Sequence, residues 1–338
     1  MKNKILISLL VALALSAVAA FAALPGRGQS QAAGAQQQQA PSSAQDEQAG
    51  AAASQTGVKL TASIHERRPA AAVVTGDLSA FAASASKNLS LKYDLTWAFG
   101  GKQQRGWYLY ASLIGSLLDT NDETGSAGFA AALSRWQRRA GVAPTGILDD
   151  ETLYRMVSDW QGARIKSRAY PQPSELVTAP PTEFWDPSRP DELRQVRRDA
   201  YDAYKRMLAA AVADPSLKLA VTRTGQLAPE EKFLKIVSSF RSREYQEQLR
   251  KRQPNAGRAG LAVNSPHFTG CALDLYVGGD PVDTKDANRA IQVQTPVYQW
   301  LVRNAGKFGF RPYYYEPWHW EYVGESKAGG VELVGVMK

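Results

Sequence analysis

Apolar residues change their spacing along this chain, and each change predicts a different element. From Ile5 to Leu24 the run is almost unbroken, follows Lys2 and Lys4, and carries Ala17, Ala19 and Ala20 toward its end. That is the pattern of a secretory signal peptide. At about 1.5 Å rise per residue the same run also matches a hydrocarbon layer of roughly 30 Å, so an uncleaved anchor is the rival reading. Both predict export of the remaining chain. Residues 28–57 turn to Gln, Ala, Ser and Gly, including Gln36 to Gln39, with no aromatic residue to seed a core, and read as a flexible tether. The first two segments are therefore 1–26, signal or anchor, and 27–90, tether plus a stretch of undecided structure.

Helical spacing begins after Trp107. Tyr110, Leu113 and Leu117, then Phe129, Leu133 and Trp136, recur three and four apart and predict two amphipathic helices. Gly146 predicts a turn, and Asp149 or Asp150 caps a short helix running through Leu153 and Met156. A small helical domain over 91–165 accounts for this pattern, with Trp136 in its core. Residues 166–190, rich in Pro, Ser and Thr, read as a linker or as an arm wrapping the next domain. A second domain over 191–338 opens with a helix from Asp191 to Ala211, on Leu193, Val196, Ala200, Tyr204 and Leu208. Phe233 to Phe240 predicts a short strand or a helix end. Ser242 caps a helix over Glu244–Arg252, with Tyr245 and Leu249 on its inner face. Alternation predicts a strand over Ala272–Val277, and Tyr313–Val323 reads as a strand interrupted at Pro317.

Composition narrows the chemistry more than the fold. The 338 residues carry a net charge of +8, which favours anionic surroundings without choosing among nucleic acid, lipid headgroups and wall polymers. Predicted export and the absence of a nucleic-acid motif set nucleic acid aside. Cys271 is the single cysteine, so neither an internal disulfide nor a thiolate zinc cluster is available, and it reads as a small buried hydrophobe. Any metal must be held by nitrogen and oxygen, and the histidines are only His65, His267 and His319. His65 lies in no ligand pattern and is given no role.

Gly270 permits a bend that returns His267 toward Asp274, and the break at Pro317 brings Glu316 and His319 to one side. Two histidines and a carboxylate suit a catalytic zinc, which keeps a fourth position for water. Glu316 would then exchange protons with the attacking water and the leaving amine, and Arg241, at the opening of a helix, would hold an anionic group. Spacing alone favours ordinary polar residues or a structural hydrogen-bond cluster over a metal site, and the helical His-Glu-x-x-His pattern is absent.

Three ordered motifs change that balance: Ser239-Phe240-Arg241-Ser242-x-x-x-Gln246, Ser265-x-His267-x-x-Gly270-x-Ala272-x-Asp274, and Glu316-Pro317-Trp318-His319. Over about Asp191 to Gly324 the chain resembles the zinc D-alanyl-D-alanine carboxypeptidases of the vancomycin-resistance type and related peptidoglycan endopeptidases. The resemblance implies an α+β fold in which an antiparallel sheet carries the site. It implies Zn2+ on His267, Asp274 and His319, with Glu316 as catalytic base and Arg241 aiding substrate or transition-state binding. Two positions depart from the commonest pattern: Phe240 stands where Tyr is frequent, and Glu321 where a basic residue is frequent. Phe129 to Leu153, with Trp136-Gln137, Ala140-Gly141, Thr145-Gly146 and Thr152-Leu153, resembles the second half of small peptidoglycan-binding domains.

The function implied is removal of the terminal D-alanine from peptidoglycan stem peptides in the periplasm or cell envelope, with membrane anchoring through residues 5–24 as an option. The alternatives are an endopeptidase cutting within the stem or crosslink and a non-catalytic wall-binding protein. The helical part is expected to be separable, so that a piece from about Pro181 onward keeps activity on a small peptide.

Overall fold

The computed structural model describes residues 78–99, 102–252 and 264–325. The expected signal or anchor segment and His65 lie outside the described residues, as does the tether. Among the described residues, no helix is long and apolar enough to cross a membrane.

The helical part comprises α1 (Ala82–Asp94), an antiparallel hairpin of β1 (Thr96–Phe99) and β2 (Lys102–Arg105), α2 (Ala111–Leu118), α3 (Ala127–Ala140) and α4 (Asp150–Gly162). Its boundaries follow from side-chain chemistry. Phe129 N–H donates to Ser126 Oγ at 3.1 Å to start α3, and Gly141 ends it in the left-handed region. Thr152 N–H donates to Asp149 Oδ1 at 2.9 Å to start α4. Phe129, Leu133, Trp136, Leu153 and Met156 are buried, and Trp107 stacks on Phe129 at 6.1 Å.

The turn at Gly146 adopts φ +68°, and a Cβ there would lie 2.8 Å from the Ala130 carbonyl oxygen. Two buried amides hold this turn. Asn88 donates to Gly146 O at 2.8 Å and accepts from Leu148 N–H at 2.7 Å. Gln137 accepts from Gly146 N–H at 2.8 Å and donates to Ile147 O and Thr152 Oγ1, each at 2.9 Å. Helix α1 starts before the boundary expected at 91. Its inner face is made of Ala85 and Asn88, whereas Leu89 and Tyr93 are exposed, so apolar spacing gives no sign of it.

Residues 166–190 form an arm. Strand β3 (Leu176–Thr178) pairs antiparallel with β4 (Gln195–Arg197), and buried Phe184 bridges to Ile236. The helix expected from Asp191 begins only at Arg198: α5 spans Arg198–Val212, because Gln195 to Arg197 are drawn into pairing with β3. Val196 is buried from a strand, not from a helix face.

The central sheet has the order β5-β6-β8-β7 and is antiparallel throughout. It consists of β5 (Ile236–Ser238), β6 (Ala272–Leu275), β7 (Phe310–Pro312) and β8 (His319–Tyr322). The interrupted strand expected over Tyr313–Val323 is instead the turn and second strand of a hairpin. Glu316 N–H donates to Tyr313 O at 3.1 Å, His319 N–H to Glu316 O at 2.9 Å and Tyr313 N–H to His319 O at 2.9 Å. Pro317 supplies no N–H to a ladder and suits the bend. Helices α6 (Arg243–Arg252), α7 (Asp286–Gln294) and α8 (Pro296–Asn304) complete the domain. Tyr245 N–H donates to the expected cap, Ser242 Oγ, at 3.0 Å.

One apolar core runs from the helical part into the sheet domain. Tyr314 meets Tyr110 at 5.5 Å and Trp160 at 5.9 Å between ring centroids. Fully buried Arg289 donates to Tyr110 Oη at 2.9 Å and lies over the Tyr315 ring at 4.2 Å. These shared contacts run against the expectation of a separable binding module.

Candidate active site

Strand register brings the second and third motifs together. Asp274 on β6 is the Cα partner of His319 on β8, and on its other side it faces Ser238 on β5. Directly opposed residues in antiparallel strands hold their Cβ atoms about 5 Å apart. His267 arrives from a short 3-10 turn, Pro266–Thr269, that Ser265 caps and Gly270 ends at φ +68°. A Cβ on Gly270 would press on Arg197 at 3.1 Å, and Arg197 N–H donates to Gly270 O at 3.0 Å, so the end of β4 clamps this turn. His267, Asp274 and His319 are all buried, and one ligand atom from each lies within 4.8 Å of the others.

The imidazoles are oriented from behind. His267 Nδ1 lies 2.7 Å from the carbonyl oxygen of Ser239, an acceptor only, so Nδ1 carries the proton and Nε2 a lone pair. That Nε2 faces Asp274 Oδ2 at 3.3 Å. His319 Nε2 lies 3.1 Å from Glu321 Oε1, and its Nδ1 faces Asp274 Oδ1 at 2.9 Å.

The charges are equally informative. Burial lowers the His267 pKa to about 4 and keeps that ring neutral. Burial alone would lower His319 too, but hydrogen bonds with Asp274 and Glu321 outweigh it and lift its pKa to about 9. Asp274 lies well below the carboxylate range, because the two histidines overcome its desolvation.

A divalent cation fits this arrangement. A neutral Nε2 and a carboxylate oxygen face each other with lone pairs, and the surrounding potential is negative enough to protonate the second ring. An N2O donor set of this kind suits zinc.

Glu316 sits in the hairpin turn, 7% exposed, and its burial raises its pKa to about 7. Arg241, from the first motif, donates to Ser238 Oγ at 2.9 and 3.1 Å and to Asp274 Oδ2 at 3.2 Å, with its side chain 21% exposed. The structure thus brings His267, Asp274, His319 and Arg241 together, with Glu316 buried in the turn that leads into β8. Cys271 lies buried just before β6, its thiol pushed by burial to about 12.

Three partners carry no role that the sequence pattern assigns. Ser238 positions Arg241, and the carbonyl of Ser239, the first residue of the first motif, fixes His267. The third is Arg164, whose Nε donates to Glu321 Oε1 at 2.9 Å. Glu321 is fully buried with Arg164 and His319 as partners, and these overcome its desolvation and lower its pKa to about 2.

Residues 193–325 match the family model described as D-alanyl-D-alanine carboxypeptidase, VanY, and residues 107–156 match a putative peptidoglycan-binding domain. Among solved structures, the LdcB LD-carboxypeptidase is 27% identical, covering 47% of this chain and 72% of that one, with a TM-score of 0.34. VanYB in complex with D-alanine-D-alanine is 21% identical, covering 38% and 72%, with a TM-score of 0.25. No curated protein matches. With its triad of His267, Asp274 and His319 forming a metal-dependent peptidase site, the chain carries a VanY-like D-alanyl-D-alanine carboxypeptidase/endopeptidase domain preceded by a peptidoglycan-binding segment.

Proposed function

We propose that this peptidoglycan-acting hydrolase is a zinc-dependent carboxypeptidase that releases the terminal D-alanine of stem peptides in the cell envelope. Residues 5–24 serve as its export signal or anchor, and the helical segment holds it to the wall. The observation that carries the choice of bond is Arg241, a partly exposed cation tied to the rim of the triad by Ser238 and Asp274. A terminal carboxylate is the anion such a guanidinium takes up. Glu321 does not compete for that role, because its charge is enclosed by Arg164 and His319.

Zinc held by His267, Asp274 and His319 would supply Lewis-acid chemistry, polarising the scissile carbonyl and making water acidic. Glu316 takes the proton from the water as its oxygen bonds to the carbonyl carbon. It then gives a proton to the nitrogen as the C–N bond breaks and D-alanine leaves. A carboxylate raised by burial to about 7 is matched to both transfers near neutral pH. Arg241 orients the substrate terminus, and buried Tyr313, edge-on to His319 at 5.9 Å, keeps water from that side of the site.

The test is mass spectrometry of a stem pentapeptide and of wall digests after incubation with the zinc-loaded full-length chain. Loss of a single alanine is the expected result. Internal fragments would establish the endopeptidase alternative, and wall sedimentation without cleavage would establish the non-catalytic one.

A further inference from the structure

Arg164 lies two residues beyond α4, on the chain leaving the peptidoglycan-binding segment, yet its partners belong to the peptidase sheet. Both its Nε, at 2.9 Å, and a terminal guanidinium nitrogen donate to Glu321 Oε1, and the Ile165 N–H donates to Glu321 Oε2 at 2.9 Å. The other terminal nitrogen donates to Gln161 Oε1 at 2.9 Å, and the guanidinium lies 3.9 Å from the centroid of the Tyr313 ring. Tyr313 in turn meets His319 edge-on at 5.9 Å. All three nitrogens of the guanidinium are therefore engaged and one of its faces is covered. Glu321 has no exposed surface, and the same Oε1 lies 3.1 Å from His319 Nε2.

We infer that Arg164 is a positioning residue for the metal site, acting through Glu321 on His319. The inference rests on the reading that the triad binds zinc. A ligand imidazole needs an anionic or carbonyl acceptor on its far nitrogen to fix its tautomer and raise its basicity. Glu321 does this for His319 at Nε2 and leaves Nδ1, which faces Asp274 Oδ1 at 2.9 Å, as the atom available to a metal. A buried carboxylate stays charged and oriented only when paired, and Arg164 provides the pair with two donors on one oxygen while the Ile165 amide fixes the other. Order at the end of α4 thereby becomes a condition for tight metal binding.

The experiment titrates zinc into the metal-free full-length chain against a competing chelator, with melting of each metal-free form as a fold control. Arg164→Ala weakens zinc roughly 10- to 100-fold, the usual scale for losing such an outer partner. Arg164→Lys recovers part of that loss, since an ammonium keeps the charge without the fork. Arg155→Ala, which removes a half-exposed arginine of α4, leaves affinity unchanged. Glu321→Gln keeps the shape and removes the charge, and it weakens zinc even if Arg164→Ala fails to fold. Wild-type affinity in Arg164→Ala and in Glu321→Gln overturns the inference while sparing the triad. A wild-type chain that takes up no zinc overturns the triad reading and this inference with it.

Discussion

Around Gly146 the helical part buries two amide side chains, Asn88 and Gln137, and each donates to and accepts from the turn they hold. Around Asp274 the sheet buries Glu316, Glu321 and two histidines, and Arg164 and Arg241 are the cations facing them. The first cluster is neutral and closed, so it fixes a loop and needs nothing more. The second sets three carboxylates, Asp274, Glu316 and Glu321, against two arginines, so it needs a further positive charge, as a proton on His319 or as a bound cation. Burial of polar groups alone therefore does not mark a site; the imbalance of charge does.

The largest expected effect tests the charged cluster. Glu316→Gln keeps the shape and lowers the initial rate on a stem peptide by roughly 10²–10⁴-fold, while elemental analysis still finds about one zinc per chain. His319→Ala loses zinc and activity together. A Glu316→Gln enzyme with near-normal turnover would assign water activation to another group, and one that loses zinc would make Glu316 a ligand.

Deleting everything before residue 166 asks whether the clusters belong to independent bodies. Tyr314 and Arg289 lose Tyr110, Tyr314 also loses Trp160, and Glu321 loses Arg164. The remnant should melt with a loss of more than about 3 kcal/mol or fail to fold, the scale of breaking a buried ion pair. Full thermal stability and zinc affinity in the remnant would restore the picture of a separable module.

Within the neutral cluster, Gln137→Ala leaves the Gly146 N–H and Ile147 carbonyl without their amide partner. Denaturant unfolding should show a loss of about 1–3 kcal/mol, with kcat/KM per folded molecule unchanged. A fall in kcat/KM would mean that the two clusters communicate.

The pH profile returns to Glu316. It must be ionised to accept a proton, and burial raises its pKa to about 7. A bound cation draws that value down, so the acid limb of kcat/KM lies at or below pH 7. Activity falls about tenfold per pH unit there as the base is protonated. The limb should vanish from the residual activity of Glu316→Gln. The smallest effect is Asp149→Ala, which removes the α4 cap and should cost about 1 kcal/mol without touching zinc binding.

The parts legible in the sequence are those whose signal is local. His267 and Asp274 stand on either side of Gly270, Glu316 and His319 share one short turn, and Asp149 and Ser242 cap helices that begin beside them. The pairing of Asp274 with His319 is a matter of strand register, which spacing cannot give; the ordered motifs implied it through resemblance. Helix α1 escaped because its buried face is an alanine and an asparagine. Strand β4 reads as helix because Val196, Ala200, Tyr204 and Leu208 keep a helical period, while the pairing that overrides it comes from β3 across the arm. Arg164 gave no signal at all: 157 positions separate it from Glu321.

The arm that covers β5 also settles how this sheet meets other protein molecules. A four-stranded sheet has two edges, and an open edge invites another chain to add a strand. At β5 the arm takes up the free backbone, with Trp185 N–H donating to Ile236 O at 3.0 Å and Phe184 bridged alongside. At the other edge β7 is only three residues long and ends in Pro312, which offers no donor. Neither edge presents a run long enough to template a fibril, so the four strands that hold the site are shielded from self-assembly at both ends.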